Sequence, residues 1–161
     1  MDLLQRAGEL FASGRVHDAL EVAQAACDRA PKDAEAWWLL GRVCRHAAMP
    51  TASDDAFRRA AALGDRFAVP YRVPPERFLA LIDEARTALT GDARRRLEST
   101  AIRTQPVPTV EQIRGGVDPD ALTLRERVPR DVLVLFQVNH ENRSGSEDAL
   151  RALVRRSLTR A

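Results

Sequence analysis

Apolar residues recur three and four apart through the first 63 residues, and that spacing predicts four consecutive helices. Residues 2–13 place Leu3, Ala7, Leu10 and Phe11 inward and close at Ser13-Gly14. Residues 15–30 put Val16, Ala19, Leu20, Ala23 and Ala26 on one face, with Pro31 just past the end, where it no longer disturbs the helix. The best-patterned stretch is 34–63. Trp37, Leu40, Gly41 and Cys44 form one stripe; after a break at Met49-Pro50-Thr51, Ala56, Phe57, Ala60 and Ala61 form another. Asp33 is expected to cap the third helix, Thr51 or Ser53 the fourth, and Gly64 to stop it. Small residues at Gly41 and Ala60 predict two antiparallel helices that approach closely.

The texture changes after a proline-marked linker over 66–72. Pro74-Pro75-Glu76 opens a helix whose buried stripe is Phe78, Leu81, Ile82, Ala85 and Leu89, and Gly91 ends it or begins a turn. Residues 92–99 are charged and anchored by Leu97; residues 100–107 predict a short strand. Thr109 can cap a short helix over 110–114 that Gly115-Gly116 must break, and Asp118-Pro119-Asp120 is a turn. The clearest strand is 131–138, apolar on both faces and therefore expected to be covered on both sides. A polar loop over 139–146 precedes a last helix begun by Ser146, with Ala149, Leu150, Leu153, Val154 and Leu158 on its stripe.

Sliding the chain by 34 residues lays Leu3 on Trp37, Ala7 on Gly41, Leu10 on Cys44, Gly14 on Ala48, Ala23 on Phe57 and Ala26 on Ala60. This period and the run Trp37, Leu40, Gly41, followed by Ser53, Phe57 and Ala60, resemble a pair of tetratricopeptide repeats. Ser53 departs from the family's alanine. The first copy keeps Ala7, Gly14, Ala19, Ala26 and Pro31 but has Arg6 and Ala23 where leucine and an aromatic are usual. A short helix pair cannot bury its own apolar face, so such units need neighbours.

Charge narrows the partners little. Arginines number 24 and lysines one against 23 acids, for a net charge of +2. Residues 1–68 carry nine basic and ten acidic side chains, and residues 69–161 carry 16 and 13. Neither half has the excess expected of a dedicated nucleic-acid binder, so nucleic acid is an unfavoured partner. Cys27 and Cys44 fall in predicted helices as small apolar residues, with no CxxC or Cys/His cluster to suggest a metal. The start MDLLQRAGEL lacks the pattern of a signal peptide, and no stretch is apolar enough to span a membrane, so a cytoplasmic protein is the expectation.

Residues 71–161 resemble the small bacterial zincin-like metallopeptidase domains. The landmarks are Val73-Pro74-Pro75-Glu76-Arg77-Phe78, Leu81, Glu84-Ala85, Pro108-Thr109 with Glu111-Gln112-Ile113, Asp118-Pro119-Asp120-Ala121-Leu122, the strand after Arg130-Asp131, and the helix through Leu158. Members continue into His-Glu-x-x-His, where two histidines on one helix face hold zinc and the glutamate activates water. In this register the first histidine falls at Arg160 and the glutamate at Ala161, and no position is left for the second histidine. A guanidinium has no lone pair for a metal and an alanine accepts no proton. His140-Glu141 offers no substitute, because Ser144 occupies the partner position and the pair is expected in a loop at a strand end. No metal, no cofactor and no enzyme activity are therefore expected.

The fold expected is α+β: tetratricopeptide-like hairpins over 1–67 packed against a degenerate zincin-like domain over 71–161 with a short sheet. The repeat resemblance implies a concave face built from the first helix of each hairpin, carrying Leu4, Gly8, Phe11 and Ala12, then Glu35, Trp38, Arg42, Arg45 and His46. Of these, Leu4, Phe11, Trp38, Arg42, Arg45 and His46 are the candidate partner-binding residues. Trp38 lies about 100° around the helix from Trp37, which takes the core position. Two accounts stay open. The face binds an acidic, partly apolar segment of another protein, or it docks the chain's own second domain and closes a short array. The function expected is a catalytically inactive adaptor. The alternatives are a zinc peptidase with a truncated or unrecognised metal site and an arginine-dependent nucleic-acid accessory factor.

Overall fold

Asp2 starts the first helix by accepting the Gln5 N–H at 2.7 Å. Helices α1 (Leu3–Ala12), α2 (Val16–Arg29), α3 (Ala34–His46) and α4 (Pro50–Ala62) follow as two antiparallel hairpins. The computed structural model describes residues 1–161. They divide into two compact units, Met1–Pro70 with Val107–Asp120 and Tyr71–Pro106 with Ala121–Ala161. The segment Val107–Asp120 lies within the stretch read from sequence as one domain over 71–161, but it packs with the helical hairpins.

The core of the first unit follows the predicted stripes. Ala7, Phe11, Ala19, Ala23, Leu40, Cys44, Ala56 and Phe57 are buried. Asp33 caps α3 by accepting the Glu35 N–H at 3.0 Å. Neither Thr51 nor Ser53 caps α4. Met49 is the N-cap and Pro50 takes the first helical position, where its missing N–H would have had no partner. Ser53 instead donates its buried hydroxyl to the Gly41 carbonyl at 2.6 Å, tying α4 to α3. Trp37 is only partly buried: its Nε1 donates to the Pro31 carbonyl at 2.9 Å and the Arg59 guanidinium lies 4.7 Å over its ring.

Cys27 and Cys44 sit in this core at 0% and 2% exposure. Burial, reinforced by Asp28 and Asp33, pushes the Cys27 thiol up to about 12, and burial raises that of Cys44. Since the thiolate is the nucleophile, both should resist iodoacetamide at mildly alkaline pH and react promptly in urea. Native labelling at the rate of a free thiol would show that the packing of α2 on α3 is open.

The second unit contains α5 (Pro75–Thr87), α6 (Gly91–Leu97), β1 (Ala101–Gln105), β2 (Thr123–Glu126), β3 (Val132–Phe136), α8 (Gln137–Asn142) and α9 (Glu147–Arg160); α7 (Val110–Arg114) belongs to the first. The strand order is β1-β3-β2, with β1 parallel and β2 antiparallel to β3. The central place of β3 explains why Leu133 through Phe136 are all at most 1% exposed. Leu133 and Leu135 share a core with Phe78, Leu81 and Ile82 of α5, Leu97 of α6, and Leu150, Val154 and Leu158 of α9. Ser146 caps α9 by accepting the Ala149 N–H at 3.1 Å.

Two elements depart from the sequence reading. Edge strand β2, Thr-Leu-Arg-Glu, has no apolar run because it is half-buried throughout. Its Arg125 donates to the Asp131 carboxylate at 2.9 and 2.7 Å and Thr100 Oγ1 donates to it at 2.7 Å, which together hold the Asp131 carboxyl well below the usual range. Residues 137–142, expected as strand end and loop, are helical. Tertiary hydrogen bonds support that short helix: Gln137 Nε2 donates to the Val73 carbonyl at 2.9 Å and Asn139 Nδ2 to the Ala121 carbonyl at 2.8 Å.

Candidate functional site

Helices α1 and α3 supply one face of the first unit, and Val107–Asp120 folds against it. Thr109 starts α7 with a reciprocal cap, accepting the Gln112 N–H at 3.1 Å while Gln112 Oε1 accepts the Thr109 N–H at 2.9 Å. The α1–α2 turn meets this helix at Gly14, whose φ of +82° suits glycine; a Cβ there would lie 3.2 Å from Arg114 Cγ and 3.5 Å from the Val110 carbonyl oxygen. Ile113 is 3% exposed, and Val110 packs against the hairpin core.

Beyond α7 the chain turns at Asp118, whose Oδ1 accepts the Asp120 N–H at 2.8 Å. Asp120 then receives Arg42 Nη1 at 2.5 Å. Both side chains are about a quarter exposed, 28% and 24%, and a pair this open to water contributes at most about 1 kcal/mol. Phe11 is buried beneath, with the Arg42 guanidinium carbon 5.7 Å from its ring centroid and the His46 ring edge-on at 4.8 Å. Burial lowers the His46 pKa, against the Arg42 carbonyl at 3.2 Å from Nδ1, the Asp120 charge and the Pro119 backbone, which raise it. A cleft of about 340 Å³ remains between Gly8, Phe11, Ala12 and Arg42 on one side and Ile113 and residues 116–120 on the other.

Of the candidate partner-binding residues, the fold brings Phe11, Arg42 and His46 together. Leu4 is half-buried against the hairpin core. Arg45 turns to α4, where its Nη2 reaches both Asp54 oxygens at 3.1 Å. Trp38 stacks on Phe67 at 4.5 Å and 10° and tilts against Phe57 at 4.5 Å. Glu35 pairs with Arg66 at 2.6 Å. The residues opposite, Ile113, Pro119 and Asp120, carry no sequence signal for this role: one apolar residue ahead of two glycines and one acidic turn look like any connection.

In the second unit His140 is fully buried on α8. Its Nδ1 lies 2.8 Å from the Phe136 carbonyl and its Nε2 2.9 Å from Ser157 Oγ. The carbonyl requires Nδ1 to carry the proton, so Nε2 accepts from the serine. No carboxylate orients the ring, and Ser157 is only 9% exposed, so the pair is a packing element. The neighbouring Glu141 accepts from the Val73 N–H at 2.9 Å and from Gln137 Nε2 at 3.1 Å. Arg151 of α9 pairs with Glu84, Glu147 and Asp148. No group of three His, Cys, Asp or Glu side chains is placed to hold a metal ion. No helix is long and apolar enough to cross a membrane.

Comparison with known proteins bears on the helical hairpins alone. The tetratricopeptide repeat family model matches residues 2–43, which span α1, α2 and most of α3. No curated protein and no solved structure matches the chain. The N-terminal region is thus similar to a tetratricopeptide repeat, a helical arrangement consistent with a protein-interaction module.

Proposed function

We propose that this protein is a catalytically inactive adaptor that holds a partner protein through the face made by α1 and α3. The observation that carries the reading is the convergence of Phe11, Arg42 and His46 on one side of a tetratricopeptide-like pair, where they already receive an acidic, proline-containing turn. A cation over an aromatic ring beside a cleft is chemistry suited to an acidic, partly apolar segment. We read residues 71–161 as a degenerate relative of the zincin-like domains, on the order of the landmarks along the chain. The histidine it buries is committed to internal hydrogen bonds.

A peptide-display selection against the full chain tests the reading. Enriched peptides should combine Asp or Glu with an apolar residue, and Arg42→Glu should weaken their binding by about tenfold or more, the loss expected when a charge-assisted contact becomes a repulsion. Peptides without acidic residues, or binding unchanged by Arg42→Glu, would place the interaction elsewhere.

A further inference from the structure

The Arg42 guanidinium is satisfied on one edge only. Nη1 reaches Asp120, while Nε is shielded from water and has no acceptor. A guanidinium offers paired N–H groups that one carboxylate can take together, and a buried donor left without an acceptor is penalised. Asp120 makes its contact from a turn pinned by Asp118. The cleft beside Phe11 is likewise left open by this occupant.

The segment that sits here has little stability of its own. Helix α7 has five residues, far below the length at which an isolated helix persists in water, and Gly115-Gly116 follows it at once. What holds it is the packing of Val110 and Ile113 and the Arg42–Asp120 pair, helped by connection at both ends: residue 106 ends the stretch carrying β1, and residue 121 leads into β2. Such tethering gives weak contacts a high effective concentration without making them strong.

We infer that Val107–Asp120 is a built-in, displaceable ligand of the α1–α3 face. Its competitor is a partner's acidic segment, one that offers an Asp or Glu carboxylate to the Nε and Nη2 N–H groups of Arg42 together and an apolar side chain to the cleft beside Phe11. The inference rests on the adaptor reading and adds that the free protein guards its own site. The partner therefore binds at an apparent affinity reduced by the fraction of chains in which the segment is docked.

The test uses the full chain and a fluorescent synthetic peptide of residues 107–120. Asp120→Asn weakens the internal contact, so the peptide should bind this variant up to about fivefold more tightly than it binds the wild type. Adding Arg42→Ala to Asp120→Asn should reverse that gain. A second measurement needs no variant. In isotope-labelled wild-type protein titrated with excess unlabelled peptide, the resonances of Ile113, Gly115 and Gly116 should move to unstructured positions while those of α2 stay. Equal affinity for wild type and Asp120→Asn, with those resonances unmoved, would overturn the guard and leave the adaptor reading standing. Binding indifferent to Arg42, or no binding to any form, would also overturn it; the display-selected peptides then decide separately whether the adaptor reading falls too.

Discussion

Replacing Phe57 with alanine is expected to lower the stability of the helical hairpins by about 3–5 kcal/mol, the range for emptying a buried aromatic site. The ring is fully buried, lies against Gly41 and supports Trp38, which in turn stacks on Phe67. Removing it leaves a cavity and takes away the floor of the Trp38–Phe67 stack. The reciprocal change is informative because two effects oppose. Gly41→Ala would gain about 1 kcal/mol of helix propensity, but the new methyl would lie 2.6 Å from two Phe57 ring carbons. A ring packed on all sides cannot retreat that far, so overpacking wins and the variant is less stable. Combining Gly41→Ala with Phe57→Leu should then cost less than the sum of the two single changes, since the smaller side chain makes room. Both tryptophans lie in the first unit, so urea unfolding followed by indole fluorescence reads this unit selectively. A Gly41→Ala protein more stable than wild type would show that the α3–α4 approach is looser than described.

The second large effect is acid destabilisation through His140. Burial lowers its pKa from 6.5 to about 4, with Arg143 adding in the same direction and the Phe136 carbonyl opposing. Above the unfolded value neither state is protonated. As the pH falls from 6.5 towards 4 the unfolded chain takes up a proton that the folded chain refuses, so stability declines through that window and levels off below it. The full difference corresponds to about 3 kcal/mol. His140→Gln removes the titration while keeping a group that can both donate and accept. Calorimetry between pH 7 and about 4 should show a steeper decline for wild type than for this variant. Parallel declines would mean that the ring is protonated in the folded state, contrary to its hydrogen bonds.

Local signals in the sequence translate directly into structure where the physics is local. The Asp33 and Ser146 caps, the Thr109–Gln112 start of α7 and the inward stripes of α5 and α9 each depend on residues within a few positions of one another. Elements held by distant partners were hidden. The six residues of α8 show no helical period because their support comes from Val73 and Ala121, more than 15 positions away in the chain. Edge strand β2 shows no alternation because neither of its faces is fully buried.

The candidate face divides along the same line. Helical spacing places Phe11 on the first helix and Arg42 and His46 on the third, and the repeat resemblance implies that these helices build one face. It does not tell that Trp38 is consumed by Phe57 and Phe67 or that Arg45 turns to Asp54, since both depend on which neighbour arrives first. Nor does it tell that α7, read as part of the second domain, folds onto the first and brings Asp120 to Arg42 across 78 residues. Secondary structure and helix faces are written in short-range patterning. Which apolar face is covered, and by which stretch of the chain, is a competition among contacts distant in sequence, and only the folded arrangement settles it.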